Sequence, residues 1–309
     1  MKKVLLIDLG HLAHRYLFAK AADIKVAGFG YLRHTLLAHG IFPYINQFKP
    51  DAVYIGVDYK KSWRKELSAI YKAQREALRE KSADTVDWNK FYVFLEEFVH
   101  ELHDVFPFYV PLVPHLEADD IIGWLVKNLP AEDEKTIVTG DGDYIQLLKY
   151  PNTKLWTPNK KQYVTGVDPE IELTVKIICG DKSDNIPGCR RGVADGKARK
   201  MIANGELQKL LKEVDGEGKP CEFRRNYDRN RKLIDMNLIP QGLLDRLQKY
   251  LVEYKLADGS KFFNYLLDKK LREMMDNLEK YRMVIKKLSP PPVVEADRAI
   301  RKVPFRLKS

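Results

Sequence analysis

The chain has 309 residues, 45% hydrophobic and 31% charged, enough to bury a large core in one large domain or two smaller ones. Lys and Arg number 53 against 43 Asp and Glu, a net charge of +10 that points to a polyanionic partner such as nucleic acid. No stretch approaches the roughly 20 apolar residues of a membrane span, and three cysteines without a C-x-x-C pair predict a reducing, cytoplasmic compartment and no structural zinc.

The chain opens on MKKVLLIDLG, two lysines and an apolar run that superficially resemble a signal peptide. Asp8 interrupts the run after four residues, so it reads as a first β-strand. Further strand-like runs follow at 52–57 (AVYIGV), 108–113 (FYVPLV) and 136–139 (TIVT). Longer amphipathic stretches lie between them, notably 91–106 and 119–129, the latter closed by Pro130. Strand and helix in alternation predict a doubly wound, mostly parallel α/β sheet, whose ligand crevice lies beyond the carboxyl ends of the strands.

Acidic residues recur at those ends. Asp8 follows the first strand, Asp58 the second, and Asp141 and Asp143 the last, while Glu117, Asp119 and Asp120 (EADD) open the helix after 108–113. A later loop, CGDKSDNIPG, adds Asp181 and Asp184, making nine carboxylates from five segments. A lone Asp beside Gly is an ordinary turn former. Nine acids at one edge of one sheet repel one another, and a hard cation with oxygen ligands relieves that repulsion; Mg²⁺, which keeps waters for chemistry, fits best.

The remainder of the chain is strongly basic. Residues 60–81 carry eight Lys or Arg against three Glu and directly follow Asp58. As a basic helix this stretch, with Arg64, Lys72, Arg75 and Arg79, can hold phosphates near the metals, and Trp63 and Tyr71 offer faces for base stacking; a solvated helix with ion pairs is the plainer reading. Gly-rich turns in 180–205, with Gly192, Lys197 and Arg199, can grip phosphates through backbone N–H groups. Arg224, Arg225, Arg229, Arg231 and Lys232 extend the basic track. GFG at 28–30 lacks the preceding strand and third glycine of a dinucleotide site, and His11 and His14 read as surface or core histidines. Residues 290–309, Pro-rich and then basic, read as a mobile tail.

These stretches together resemble the 5′ nuclease (flap endonuclease) family, nearest its free-standing phage branch with ribonuclease H activity. The matching residues are IDLG at Asp8, GVD at Asp58, YKAQR at 71–75, EADD at 117–120, TGDGDYIQL at 139–147 and GDKSDNIPG at 180–188, and the similarity runs to about residue 255. The resemblance implies a PIN-like nuclease core over 1–178 with a basic arch at about 60–90, and a helical duplex-binding region over 179–289 containing a helix-three-turn-helix element. It implies a Mg²⁺-dependent (or Mn²⁺-dependent) 5′-to-3′ exonuclease and flap endonuclease that removes RNA primers and 5′ flaps in lagging-strand replication. Asp8, Asp58, Glu117, Asp119 and Asp141 would form one metal site, Asp143, Asp181 and Asp184 a second, with Asp120 supporting the cluster. Lys72 and Arg75 would act at the scissile phosphate beside Tyr71. Relatives also hold a potassium ion in the helical element, but GVADGKA at 192–198 departs from their G-V-G-x-K-T-A pattern, which leaves that site open. Expected partners are duplex DNA, RNA–DNA hybrid and 5′ flaps, with a single-strand binding protein or sliding clamp, and the chain is expected to be monomeric. The polymerase domain that some bacterial relatives carry is not among these residues, so a polymerase would act in trans. The alternatives are a PIN-like single-strand ribonuclease and a non-catalytic DNA-binding protein on the same fold.

Overall fold

The fold is built around five strands: β1 (Lys3–Asp8), β2 (Ala52–Gly56), β3 (Glu134–Val138), β4 (Thr153–Thr157) and β5 (Gln162–Tyr163). In this computed structural model, which describes residues 1–288, they form one sheet in the order β2-β1-β3-β4-β5. The first four are parallel and β5 returns antiparallel, pairing Trp156 with Tyr163. β1 therefore lies between β2 and β3, with their ends on either side of its own.

Successive side chains of a strand point to opposite faces, and β1 divides the core accordingly. Leu5 and Ile7 pack with the helices Leu9–Ala19, Phe29–Thr35 and Trp88–Val105. Val4 and Leu6 pack on the other side with the helices Ala118–Asn128 and Gln241–Glu253. A sheet buried on both faces needs the continuous apolar strands that the sequence supplies.

Three expectations change. Residues 108–113 form no strand, and only Tyr109 bridges β2, through Tyr54. Pro107, Pro111 and Pro114 lack the N–H that a sheet ladder requires. Conversely, β4 and β5, too polar to stand out by hydropathy, extend the sheet beyond β3. The basic stretch 60–81 is not one helix: Arg64–Leu67 and Gln74–Lys81 are separated by an extended Ser68 and a left-handed Lys72 at φ 56°.

Packing does not divide the chain at 178/179. Residues from Leu173 to Ile234 contribute to two small clusters, one of which also takes in Tyr71, whereas Met236–Leu251 pack on one face of the sheet and Phe262–Leu288 on the other. Within the first of these regions, the helices Pro169–Cys179 and Asp195–Ala203 flank a run of tight turns, the arrangement anticipated for a helix-three-turn-helix element. The tail at 290–309 lies outside the described residues.

Candidate active site

Strand order delivers the first three carboxylates to one place. Asp8 ends β1 and caps the following helix, its Oδ1 accepting from the His11 backbone N–H at 2.9 Å, while its Oδ2 accepts from Thr139 Oγ1 at 3.2 Å beyond β3. Asp58, two residues past β2, accepts from the Ala118 N–H at 2.8 Å, at the N-terminus of the helix Ala118–Asn128. Asp141, three residues past β3, accepts from the Asp143 N–H at 2.9 Å. Space between Asp8 and Asp58 is tight: a Cβ on Gly10 would lie 3.1 Å from Asp58 Oδ2 and 3.6 Å from Asp8 Oδ1. Burial, reinforced by Asp58 and Asp141, pushes the Asp8 carboxyl up to about 7.

A second set starts at the helix Ala118–Asn128. Glu117 is its N-cap, and Asp120 closes a capping box by accepting from the Glu117 N–H at 3.0 Å. Carboxylate oxygens of Glu117, Asp119 and Asp120 lie within 4.8 Å of one another. The cation that makes this tolerable is Arg64, itself 1% exposed, which donates to Glu117 at 2.7 Å, to Asp120 at 2.8 and 3.2 Å and to Asp119 at 3.3 Å. Burial pushes Asp119 and Asp120 up against the pull of that guanidinium, whereas Lys72 and Arg64 hold Glu117 below the usual carboxylate range in spite of its burial.

The third set comprises Asp143, Asp181 and Asp184, also within 4.8 Å of one another. Gly180, at φ 71°, turns the chain out of the helix Pro169–Cys179, and an Asp181–Ile186 bridge closes the loop. Ser183 donates to Asp181 through both N and Oγ, at 2.7 and 2.6 Å. Lys176 pairs with Asp143 and, at 2.7 Å, with Asp181, holding Asp181 down at about 2 although burial opposes it.

Tyr71, Lys72 and Arg75 join the second and third sets. The Tyr71 hydroxyl lies 3.1 Å from both Glu117 and Asp184. The Lys72 backbone N–H donates to the Asp184 carbonyl at 2.9 Å while its ammonium reaches Glu117, and Arg75 donates to Asp184 at 2.6 Å. All the candidate ligands are carboxylate oxygens, the donor set of a hard divalent cation.

The description "5'-3' exonuclease, N-terminal resolvase-like domain" matches residues 3–174, and "T4 RNase H, C terminal" matches residues 167–281. The chain belongs to the 5′-3′ exonuclease family. As a member it is a phosphodiester hydrolase. It is 28% identical to ribonuclease H of Enterobacteria phage T4 over 300 residues, covering 90% of this chain and 95% of that protein. It is 29% identical to a 5′-3′ exonuclease of Bacillus subtilis, covering 82% of this chain and 81% of the relative. The fold resembles that of the phage T5 flap endonuclease solved with DNA and metal ions, at a TM-score of 0.58 and 18% identity, over 81% of this chain and 96% of that one.

Within this nuclease the nine predicted carboxylates occupy the one region expected of them, in three sets. Asp120 has no exposed surface and is held by Arg64, Trp63 and its own helix cap, which fits support of the cluster and leaves no free carboxylate face. The aromatic and Arg64 expectations need correction. Trp63 is 5% and Tyr71 2% exposed, so neither offers a face for bases, and Arg64 is spent on carboxylates and on the Leu233 carbonyl, so it does not reach a nucleic acid. Arg79 lies over the Tyr92 ring at 4.9 Å. Gly192 and Lys197 are exposed; Arg199 is half-buried between Glu172 and Asp195.

The sequence reading did not single out Lys176, Ser62 or Thr139. Ser62 donates to Glu117 at 2.7 Å. Lys176, a lone cation in an otherwise apolar helical turn just before the Asp181 loop, carried the one legible signal. His11 and His14 hold no ligand position among these carboxylates: His14 packs edge-on to Phe91, and His11 Nδ1 accepts from the Gly140 N–H at 3.3 Å.

Proposed function

We propose that this 5′ nuclease removes RNA primers and short 5′ flaps during lagging-strand replication, using two Mg²⁺ ions. The observation that carries the reading is the convergence of β1, β2 and β3 ends with the Glu117 helix start and the Asp181–Asp184 loop, which pools carboxylates that repel unless cations join them. Asp8, Asp58, Glu117, Asp119 and Asp141 would hold one ion and Asp143, Asp181 and Asp184 the other, with Mn²⁺ an acceptable substitute. Ions so held would supply an activated water and neutralise the leaving oxygen.

The protein's own part is placement. Lys72 and Arg75 sit against Glu117 and Asp184, on the seam between two carboxylate sets, where a bridging phosphate would meet them. The exposed Arg190, Arg191, Lys197 and Lys200 around the turns before and within the helix Asp195–Ala203 offer charge to a duplex backbone without reading its sequence. RNA–DNA hybrid and flap are the proposed substrates, the bacterial cytoplasm the proposed setting, and a single-strand binding protein or clamp the proposed partner of a monomer. Among the described residues no helix is long and apolar enough to cross a membrane.

The test pairs a 5′-labelled RNA–DNA hybrid with a flap substrate, in Mg²⁺ and in chelator. Cleavage of both in Mg²⁺ alone, leaving 5′-phosphate products, is expected. Activity on single-stranded RNA only, or cleavage that survives chelation, would sink the proposal.

A further inference from the structure

The helical run from Phe29 to Phe48 changes pitch in its middle. Leu36–Ile41 is a π-helix set between the α-helices Phe29–Thr35 and Phe42–Phe48. Such turns are rare and concentrate at functional sites. Side chains five residues apart diverge by about 140° on an α-helix, but the wider turn brings His34 and His39 side by side, ring centroids 5.6 Å apart. Glu273, from the helix Arg272–Asp276, completes the group, its Oε2 3.0 Å from His34 Nε2. One ligand atom from each of the three lies within 4.8 Å of the others.

Among the described residues, His34 Nε2 is buried and, close as Glu273 stands, the geometry gives it no hydrogen bond. A buried ring nitrogen left unbonded calls for an explanation. A shared cation supplies one, since it takes the nitrogen lone pair and the carboxylate together.

We propose that His34, His39 and Glu273 form a further metal site outside the active site, selective for Zn²⁺ or a similar late transition-metal ion, that pins the helix Arg272–Asp276 to the π-helical turn. Two imidazole nitrogens and one carboxylate oxygen suit zinc and its neighbours, whereas the all-oxygen active site suits Mg²⁺. His39 and Glu273 are solvent-exposed, which leaves a fourth position to water. No residue is shared with the nuclease carboxylates, so the site acts as a clasp between the sheet's helical cover and the C-terminal helices. It rests on histidine, so the absence of paired cysteines does not bear on it.

Tag-free protein, stripped of metal and then held in saturating Mg²⁺, is titrated with Zn²⁺ against a chromophoric chelator. The parent is expected to bind one Zn²⁺ equivalent more than either His39→Ala or Glu273→Gln, and to gain Tm on Zn²⁺ addition where the variants do not. Both substitutions fall at exposed positions and keep the fold. In the parent, the imidazole ¹⁵N resonances of His34 and His39 are expected to move as that equivalent binds. Equal Zn²⁺ stoichiometry in all three proteins, with those resonances unmoved, would overturn the proposal.

Discussion

Arg64 is the residue on which the acidic cluster most depends before any cation binds. It is buried against three carboxylates, and removing one partner of a buried charge group leaves the rest uncompensated, at a cost of about 3–5 kcal/mol. Arg64→Ala is therefore expected to lower stability to urea by about that amount, with Mg²⁺ restoring part of it because the ion replaces the lost positive charge. Equal losses with and without Mg²⁺ would show that the ion does not reach Glu117 and Asp119. Asp141→Asn is the complementary change: it keeps shape, removes a ligand charge, and is expected to abolish cleavage while duplex affinity in Ca²⁺ holds or improves. Parental cleavage by that variant would reduce Asp141 to an ordinary turn residue. Asp8 adds a pH dependence. Its carboxyl rises from the ordinary 3.8 to about 7 in the metal-free fold, so between those values the folded chain holds a proton that the unfolded chain has lost. This group's contribution to stability therefore falls as pH rises through that window. A divalent cation displaces the proton, and calorimetry in two buffers of different ionisation enthalpy should record proton release on Mg²⁺ binding near neutral pH. The carboxylates were legible in the sequence because each follows an apolar strand or opens a helix. Arg64 was not, because charge type is written in the sequence but burial is not, and a basic residue in a basic stretch reads as surface.

At the scale of the element, the loop that carries Asp181 and Asp184 is set by backbone geometry. Gly180 has φ 71°, and a Cβ there would lie 2.2 Å from the Ile186 carbonyl oxygen, a clash that the loop must open to relieve. Gly192 has a similar φ of 76° but nothing within 4 Å. Gly192→Ala should thus cost only the left-handed penalty of about 1–2 kcal/mol, whereas Gly180→Ala should cost more and displace Asp181 and Asp184 together. Thermal unfolding and single-turnover cleavage of both variants check this, and equal effects would show that the loop yields freely. Elements were legible where hydropathy and length agreed, as in β1–β3 and the helices Trp88–Val105 and Ala118–Asn128. Prolines removed the strand expected at 108–113, and pairing alone made strands of the polar β4 and β5. The break in the basic stretch was hidden for a different reason: the left-handed Lys72 donates its backbone N–H to the Asp184 carbonyl, a partner distant in sequence.

For the whole molecule, the C-terminal helices decide what the minimal nuclease is. The motifs legible in the sequence end near residue 255, whereas the match to the C-terminal family domain runs on to residue 281. Phe262, Tyr265, Leu266, Leu271, Met274, Tyr281, Ile285 and Leu288 are buried in the same cluster as Leu5 and Ile7 of β1. Phe262 packs edge-on to Phe106 at 5.6 Å, and Tyr281 to Phe42 at 4.8 Å. At about 1.5–3 kcal/mol per buried large side chain, losing them is on the order of an entire domain's net stability of about 5–15 kcal/mol. A chain ending at residue 255 should therefore lose cooperative unfolding and expose an apolar face that aggregates, although all nine carboxylates of the nuclease sets are still present. A chain ending at 288 keeps that packing and is expected to cleave a short hybrid at the parental rate, because it retains every carboxylate of the three sets together with Arg64, Tyr71, Lys72, Arg75 and Lys176. Comparing the two truncations by denaturant unfolding and by single-turnover cleavage separates packing from chemistry. A 1–255 chain that unfolds cooperatively and still cuts would mean that the sheet can bury Phe42 and Phe106 without its C-terminal cover.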